Sequence, residues 1–272
     1  MENMAQRVRP AAVAGMFYPD DPAELNQWLD AWLAEPVETP RQDPPRALIV
    51  PHAGYVYSGA LAARAFSLWK DAPQIKRVVV IGPAHRVPFR GIATVTADAL
   101  ETPLGQVPVD THLRDALVHR FEQVGYLDVA HAPEHSLEVQ LPFIQKTVPQ
   151  AKVVPLLNGE VSAEEEAEVL DWLWQQPGVY FVISSDLSHY HPYEVARRID
   201  SETARLIEAG DWAALSGERA CGYKGIQGVL ALAGRRPLEM ARLGLINSGD
   251  TAGPKDQVVG YGAWAIWDAQ QQ

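Results

Sequence analysis

Cysteine is nearly absent from this 272-residue chain, with Cys221 its only thiol. A single thiol excludes an internal disulfide framework and fits a reducing compartment, so a cytoplasmic location is expected. Long apolar runs are missing as well. No segment approaches the ~20 residues that span a bilayer, and no membrane partner is expected. The apolar stretch AAVAGMF (11–17) is at the short limit of a secretion-signal core, and YPDDP follows it where small cleavage-site residues would stand, so it reads as part of the fold. Positive charge is in deficit: 23 Lys and Arg against 34 Asp and Glu give a formal charge of -11, the wrong sign for holding a nucleic-acid backbone. There is no GxGxxG or P-loop phosphate cradle, and no GxSxG elbow for a serine hydrolase built on Ser184 or Ser185 with His189. No organic cofactor is expected.

What remains is an ordinary globular composition, 47% hydrophobic and 21% charged. Short β-branched runs bounded by turn formers recur at 47–50, 77–82, 91–97, 152–157 and 179–185 and read as buried strands. Helical patterns fall between them at 21–35, 58–69, 110–123, 136–146, 162–176 and 192–209. The alternation predicts an α/β fold, a central mixed, mostly parallel sheet flanked by helices. The tail differs: LEMARLGLINSGDTA and DQVVGYGAWAIWD read as an antiparallel pair closing the sheet. Composition shifts nowhere enough to mark a linker, and the Pro-rich 35–46 is only long enough to join a helix to a strand. A single domain, 1–272, is expected, with residues 1–9 loose. The run EEEAE (164–168) reads as a solvated helix face.

Two histidines share a context. His52 follows ALIVP and His85 follows VVVIGPA, each just past the carboxyl end of an expected strand, where open α/β sheets bind ligands. VYFVISS leads by the same logic to Asp186 and His189. Three strand ends therefore bring His52, His85, Asp186 and His189 to one rim. Cys221 precedes a Gly-flanked helical stretch; a thiolate near a helix N-terminus has a lowered pKa and is a soft metal ligand, while a small buried hydrophobe is the plainer alternative. The literal H-x-x-E-H of His131–His135 fails as a zinc-protease helix because Pro133 obstructs it. Ser136 reads as a helix N-cap with Glu138 in the first turn, and Glu138 and His135 are also candidates for the pocket wall. His112, His119 and His191 read as surface residues.

The ordered series VAGMFYP (13–19), VPHAGYVYSG (50–59), GPAHR (82–86), TPLGQVPVD (102–110), EHSLEVQLPF (134–143), SSDLSHY (184–190), ACGYKG (220–225) and VVGYGAW (258–264) closely resembles the Memo family, whose prokaryotic members are called AmmeMemoRadiSam system protein B. The resemblance implies a fold similar to that of class III extradiol ring-cleaving dioxygenases, which are non-haem iron enzymes. It implies three metal ligands, His52, His85 and Cys221, and an acid/base pair, Asp186 and His189, with Tyr55 and Tyr190 inside its motifs as pocket lining. A thiolate stands where the dioxygenases use a carboxylate. One transition-metal ion is thus expected, iron or copper before zinc, since imidazole and thiolate donors disfavour magnesium and calcium. The functional expectation is a metal-dependent redox enzyme or oxygenase acting on a small molecule; the alternative is a binding protein using the same cleft for a metal or a peptide. The family name also implies a pathway link to AMMECR-type and radical SAM proteins.

Overall fold

A computed structural model describes residues 5–270. Its strands are β1 (Val8–Arg9), β2 (Ala47–Val50), β3 (Arg77–Pro83), β4 (Ile92–Thr94), β5 (Ala99–Thr102), β6 (Gly105–Pro108), β7 (Val124–Tyr126), β8 (Lys152–Asn158), β9 (Val179–Ser184), β10 (His189–His191), β11 (Leu238–Asn247) and β12 (Val258–Asp268). The helices are α1 (Pro22–Leu33), α2 (Tyr55–Phe66), α3 (Thr111–Arg120), α4 (Asp128–His131), α5 (Leu141–Thr147), α6 (Ala163–Trp174), α7 (Tyr193–Glu208) and α8 (Tyr223–Leu232). Caps explain several helix starts: Asp21 accepts from the Glu24 N–H, Asp110 from the Leu113 N–H, and Ser162 with Glu165 forms a capping box.

The main sheet runs β10-β12-β2-β9-β3-β8-β4-β7, with β11 paired to β12. Its middle, β2-β9-β3-β8, is parallel, and the β11–β12 hairpin closes it antiparallel through β12 on β2, as the tail predicts. Strands buried on both faces need apolar residues at every position, which is why these segments read as continuous runs rather than alternations. In β3, Val78 and Val80 enter the core that α1, α2 and α5 cover, while Val79 and Ile81 enter the core under α6 and α8. A second sheet, β1-β5-β6, is small.

Four expectations are corrected. The loose start ends sooner: Val8 and Arg9 pair with β5, and Arg9 is ion-paired to Glu138 at 2.6 Å; residues 1–4 lie outside the described residues. The expected strand 91–97 narrows to β4, three residues long. The expected helix 136–146 is a 3₁₀ turn over Glu138–Gln140 followed by α5; neither begins at Ser136 or has a side-chain cap, and the Ser136 hydroxyl donates instead to Pro83 O at 2.8 Å. Within EEEAE, Glu166 is buried against α8 and accepts from the Asn158 side-chain amide at 2.7 Å. Among the described residues no helix is long and apolar enough to cross a membrane.

Candidate metal centre

Three adjacent parallel strands build the rim. His52 lies two residues past β2, Asp186 two past β9, and His85 two past β3, and β9 sits between the other two. Register fixes their relative height: Val50 pairs with Ser184, and Ile81 with Ile183. The rings of His52 and His85 stand edge to face with centroids 5.2 Å apart. Cys221 arrives from the segment before α8, and its Sγ lies 3.3 Å from His52 Nε2. One ligand atom each from His52, His85 and Cys221 falls within 4.8 Å of the others, close enough to share one ion.

Gly222 makes that approach feasible. Its N–H donates to Ser185 Oγ at 2.9 Å, and a Cβ there would stand 2.3 Å from Ser184 O, so no larger residue could follow Cys221 at this distance from β9.

Asp186 ties the rim together. Its Oδ1 accepts the backbone N–H of His52 at 2.8 Å, and its Oδ2 lies 3.7 Å from His52 Nε2. Burial pushes the Asp186 carboxyl up from its ordinary range, against the lowering effect of the His52 N–H and the nearby histidines. Burial lowers His52 to about 3, with His85 adding to the effect, so the ring is a neutral donor. For Cys221 the expected lowering by a helix end is overturned: burial, then the Asp186 charge, push the thiol up to about 12. A cation beside it is what would ionise it. His189 is half-buried in β10, and its ring meets that of Tyr190 edge-on at 5.6 Å.

A third imidazole joins the cluster. His135 stacks between Phe17, 4.4 Å away, and His85, 4.8 Å away, and meets His52 edge-on at 5.3 Å. Burial lowers it to about 4, with His52 adding to the effect. Sequence reasoning missed Glu134. Burial raises this carboxyl, but hydrogen bonds from the His85 ring and backbone and from the Ser136 N–H outweigh it and bring the group down to about 2. His85, Glu134 and His135 form a second set of ligand atoms within 4.8 Å of one another.

Two expected pocket residues stand elsewhere. Glu138 is buried behind the rim, where it accepts from Arg9, from the Ala12 and Val13 N–H groups and from the Tyr18 hydroxyl, so no lone pair remains free for an ion. Tyr55 is a core residue whose hydroxyl donates to Val139 O at 2.5 Å. Tyr190 is 68% exposed, in the left-handed conformation at φ 66°. Of the sequence's other histidines, His131 is buried with Nε2 2.7 Å from Ala93 O, a core role.

The donor set, two imidazoles and one sulfur, fits a transition ion and not magnesium or calcium. Comparison with known proteins agrees with the motifs. The family described as Memo-like protein matches residues 9–265. A MEMO1 family protein of Aquifex aeolicus is 36% identical, covering 94% of this chain and 97% of its own length. MEMO1 family proteins of Saccharolobus solfataricus and Metallosphaera sedula are each 32% identical, covering 93% of this chain and 97% of their own. With ordered motifs, a fold that gathers their histidines and cysteine at one sheet edge, and similarity from end to end, the chain belongs to the Memo family.

Proposed function

We propose that this chain is a metal-dependent oxidoreductase of the non-haem, dioxygenase-like kind, acting on a small molecule. The observation that carries the reading is the convergence of His52 and His85, just past the carboxyl ends of β2 and β3, with Cys221 from the segment before α8, beside a buried carboxyl that is itself not a member of the ligand set. His52, His85 and Cys221 would hold iron or copper, and such an ion supplies redox chemistry and Lewis acidity when bound. The protein's own groups do the rest. Asp186, raised by burial, is placed to hold or release a proton at Oδ2, and His189 is an imidazole on the same rim able to carry one. Phe17 and His135 wall one side and restrict water there.

A second reading has its own support. Met16, Val56, Tyr57 and Tyr190 are exposed large hydrophobics, at 77%, 54%, 39% and 68%, on the segments that flank the rim, a surface suited to holding a peptide without turnover. A pathway link to AMMECR-type and radical SAM proteins remains part of the proposal on the family resemblance, and a cytoplasmic location remains part of it on the single thiol.

The test is anaerobic loading with iron(II) or copper(I), followed by metal analysis and dioxygen consumption with and without candidate catechols. Wild type should retain one ion and consume dioxygen with a substrate, and Cys221→Ser should lose both. Retention of the ion without turnover across substrates would favour the binding protein.

A further inference from the structure

Both imidazoles can offer Nε2 to an ion only when their proton rests on Nδ1. In each ring a neighbour decides the matter. Ser184 has one hydroxyl proton and two lone pairs. Its proton goes to Ser136 O at 2.7 Å, and one lone pair takes a Gln140 amide hydrogen at 3.0 Å. The other Gln140 amide hydrogen goes to Pro51 O at 2.9 Å, which fixes that amide's orientation. The remaining contact of Ser184, 2.8 Å to His52 Nδ1, must therefore be accepted from an Nδ1–H.

For His85 the neighbour is charged. Glu134, 2% exposed, sits with Oε2 at 2.8 Å from His85 Nδ1 and can only accept there. The same carboxylate accepts the backbone N–H of His85, of His135 at 3.1 Å and of Ser136 at 3.0 Å. It is thus built into the loop on both sides of the ring and cannot swing away. Ser136 provides the carbonyl that takes the Ser184 proton, so the 134–136 turn sets both rings.

We propose that Glu134 is a positioning residue that holds His85 as the Nδ1–H tautomer with Nε2 turned toward the ion, Ser184 doing the same for His52. The inference rests on the metal-site reading above and names how that site is made ready. The two rings are not equivalent: the proton of His85 faces an anion and that of His52 a neutral hydroxyl.

The direct test needs no metal. Long-range proton–nitrogen correlation spectra of the ¹⁵N-labelled wild type at alkaline pH, where imidazoles are neutral, should give the Nδ1–H signature for both His52 and His85. An Nε2–H signature at His85 overturns the proposal, and this measurement decides the matter even if variants fail to fold. In Glu134→Gln, cobalt(II) used as the probe should bind about 10–100-fold more weakly, while the spectrum at saturation, including the thiolate charge-transfer band, matches wild type. Unchanged affinity in the folded variant overturns it. So does a second equivalent of cobalt bound by wild type and lost in Glu134→Gln, which would make Glu134 a ligand with His85 and His135. Failure of wild type to bind cobalt with both Nδ1–H signatures intact would remove the metal-site reading and leave the assignment of Glu134 standing.

Discussion

The two ends of the central sheet carry polar clusters of opposite character. At the amino ends of β2 and β9, Arg46 donates to Asp268 at 2.8 Å and to Trp174 O and Val179 O, and its guanidinium lies 4.7 Å over the Trp174 ring. Arg41 nearby is shared between Asp43 and Glu239. Each of these two guanidinium groups has met its opposite charge. At the carboxyl ends, His52 Nε2, the Cys221 sulfur and one Asp186 oxygen converge without an opposite charge in the group. Groups that neutralise one another hold a fold together, and groups left facing one another with lone pairs unspent are arranged for something that arrives from outside.

That contrast can be broken by mutation. The largest effect belongs to the ligands: Cys221→Ser or His52→Ala should weaken iron(II) or copper(I) binding by more than the roughly 100-fold that loss of an outer hydrogen-bond partner costs, read by equilibrium dialysis, with secondary structure retained. Arg46→Ala should do the reverse. It removes the mate of the half-exposed Asp268, a screened pair worth little by itself, and strands two carbonyls, so denaturant unfolding should show a loss on the order of 1–3 kcal/mol, with metal affinity unchanged.

Glu166 sharpens the comparison, since it is a buried carboxyl with neither a full counter-charge in contact nor a place on the rim. Burial raises it to about 7 against the Asn158 hydrogen bond and the Lys224 charge. Below its ordinary value of 4.5 the group is neutral in both folded and unfolded chains; as pH rises the unfolded chain ionises first, so stability falls until the folded group follows near pH 7. Glu166→Gln should flatten that decline, which is on the order of 3 kcal/mol, in unfolding midpoints measured across the pH series. The smallest effect is expected at Tyr190. Glycine tolerates its left-handed backbone, so Tyr190→Gly should leave stability the same or raise it by up to about 1 kcal/mol, measured by thermal unfolding.

Much of this was readable in the chain. The parallel strands announce themselves as unbroken β-branched runs, and His52, His85 and Asp186 follow those runs by short, similar intervals. The rest depends on partners far away in sequence. Glu138 looked like a helix-start or pocket carboxylate because its mate, Arg9, lies 129 residues upstream in a segment expected to be loose. Glu166 looked solvated because its neighbours in EEEAE are, and only the packing of α6 on α8 buries it. Glu134 was visible inside HAPEH, but the helical zinc motif was the wrong frame; a carboxylate immediately before a histidine that precedes a cluster-forming loop was the signal that could have found it. Cys221 needed the family resemblance, since a lone cysteine before a glycine carries no position of its own.

Three adjacent strands set the intervals among His52, Asp186 and His85, so those intervals are inherited from the hydrogen-bond ladder, whose rungs stand about 4.8 Å apart. A ladder is the least negotiable length in a protein. Met16, by contrast, hangs from a turn, and Tyr190 projects from the short, bulged edge strand β10, both exposed. Evolution can therefore recut the doorway without disturbing the cradle behind it, and one chassis can serve descendants that admit quite different molecules.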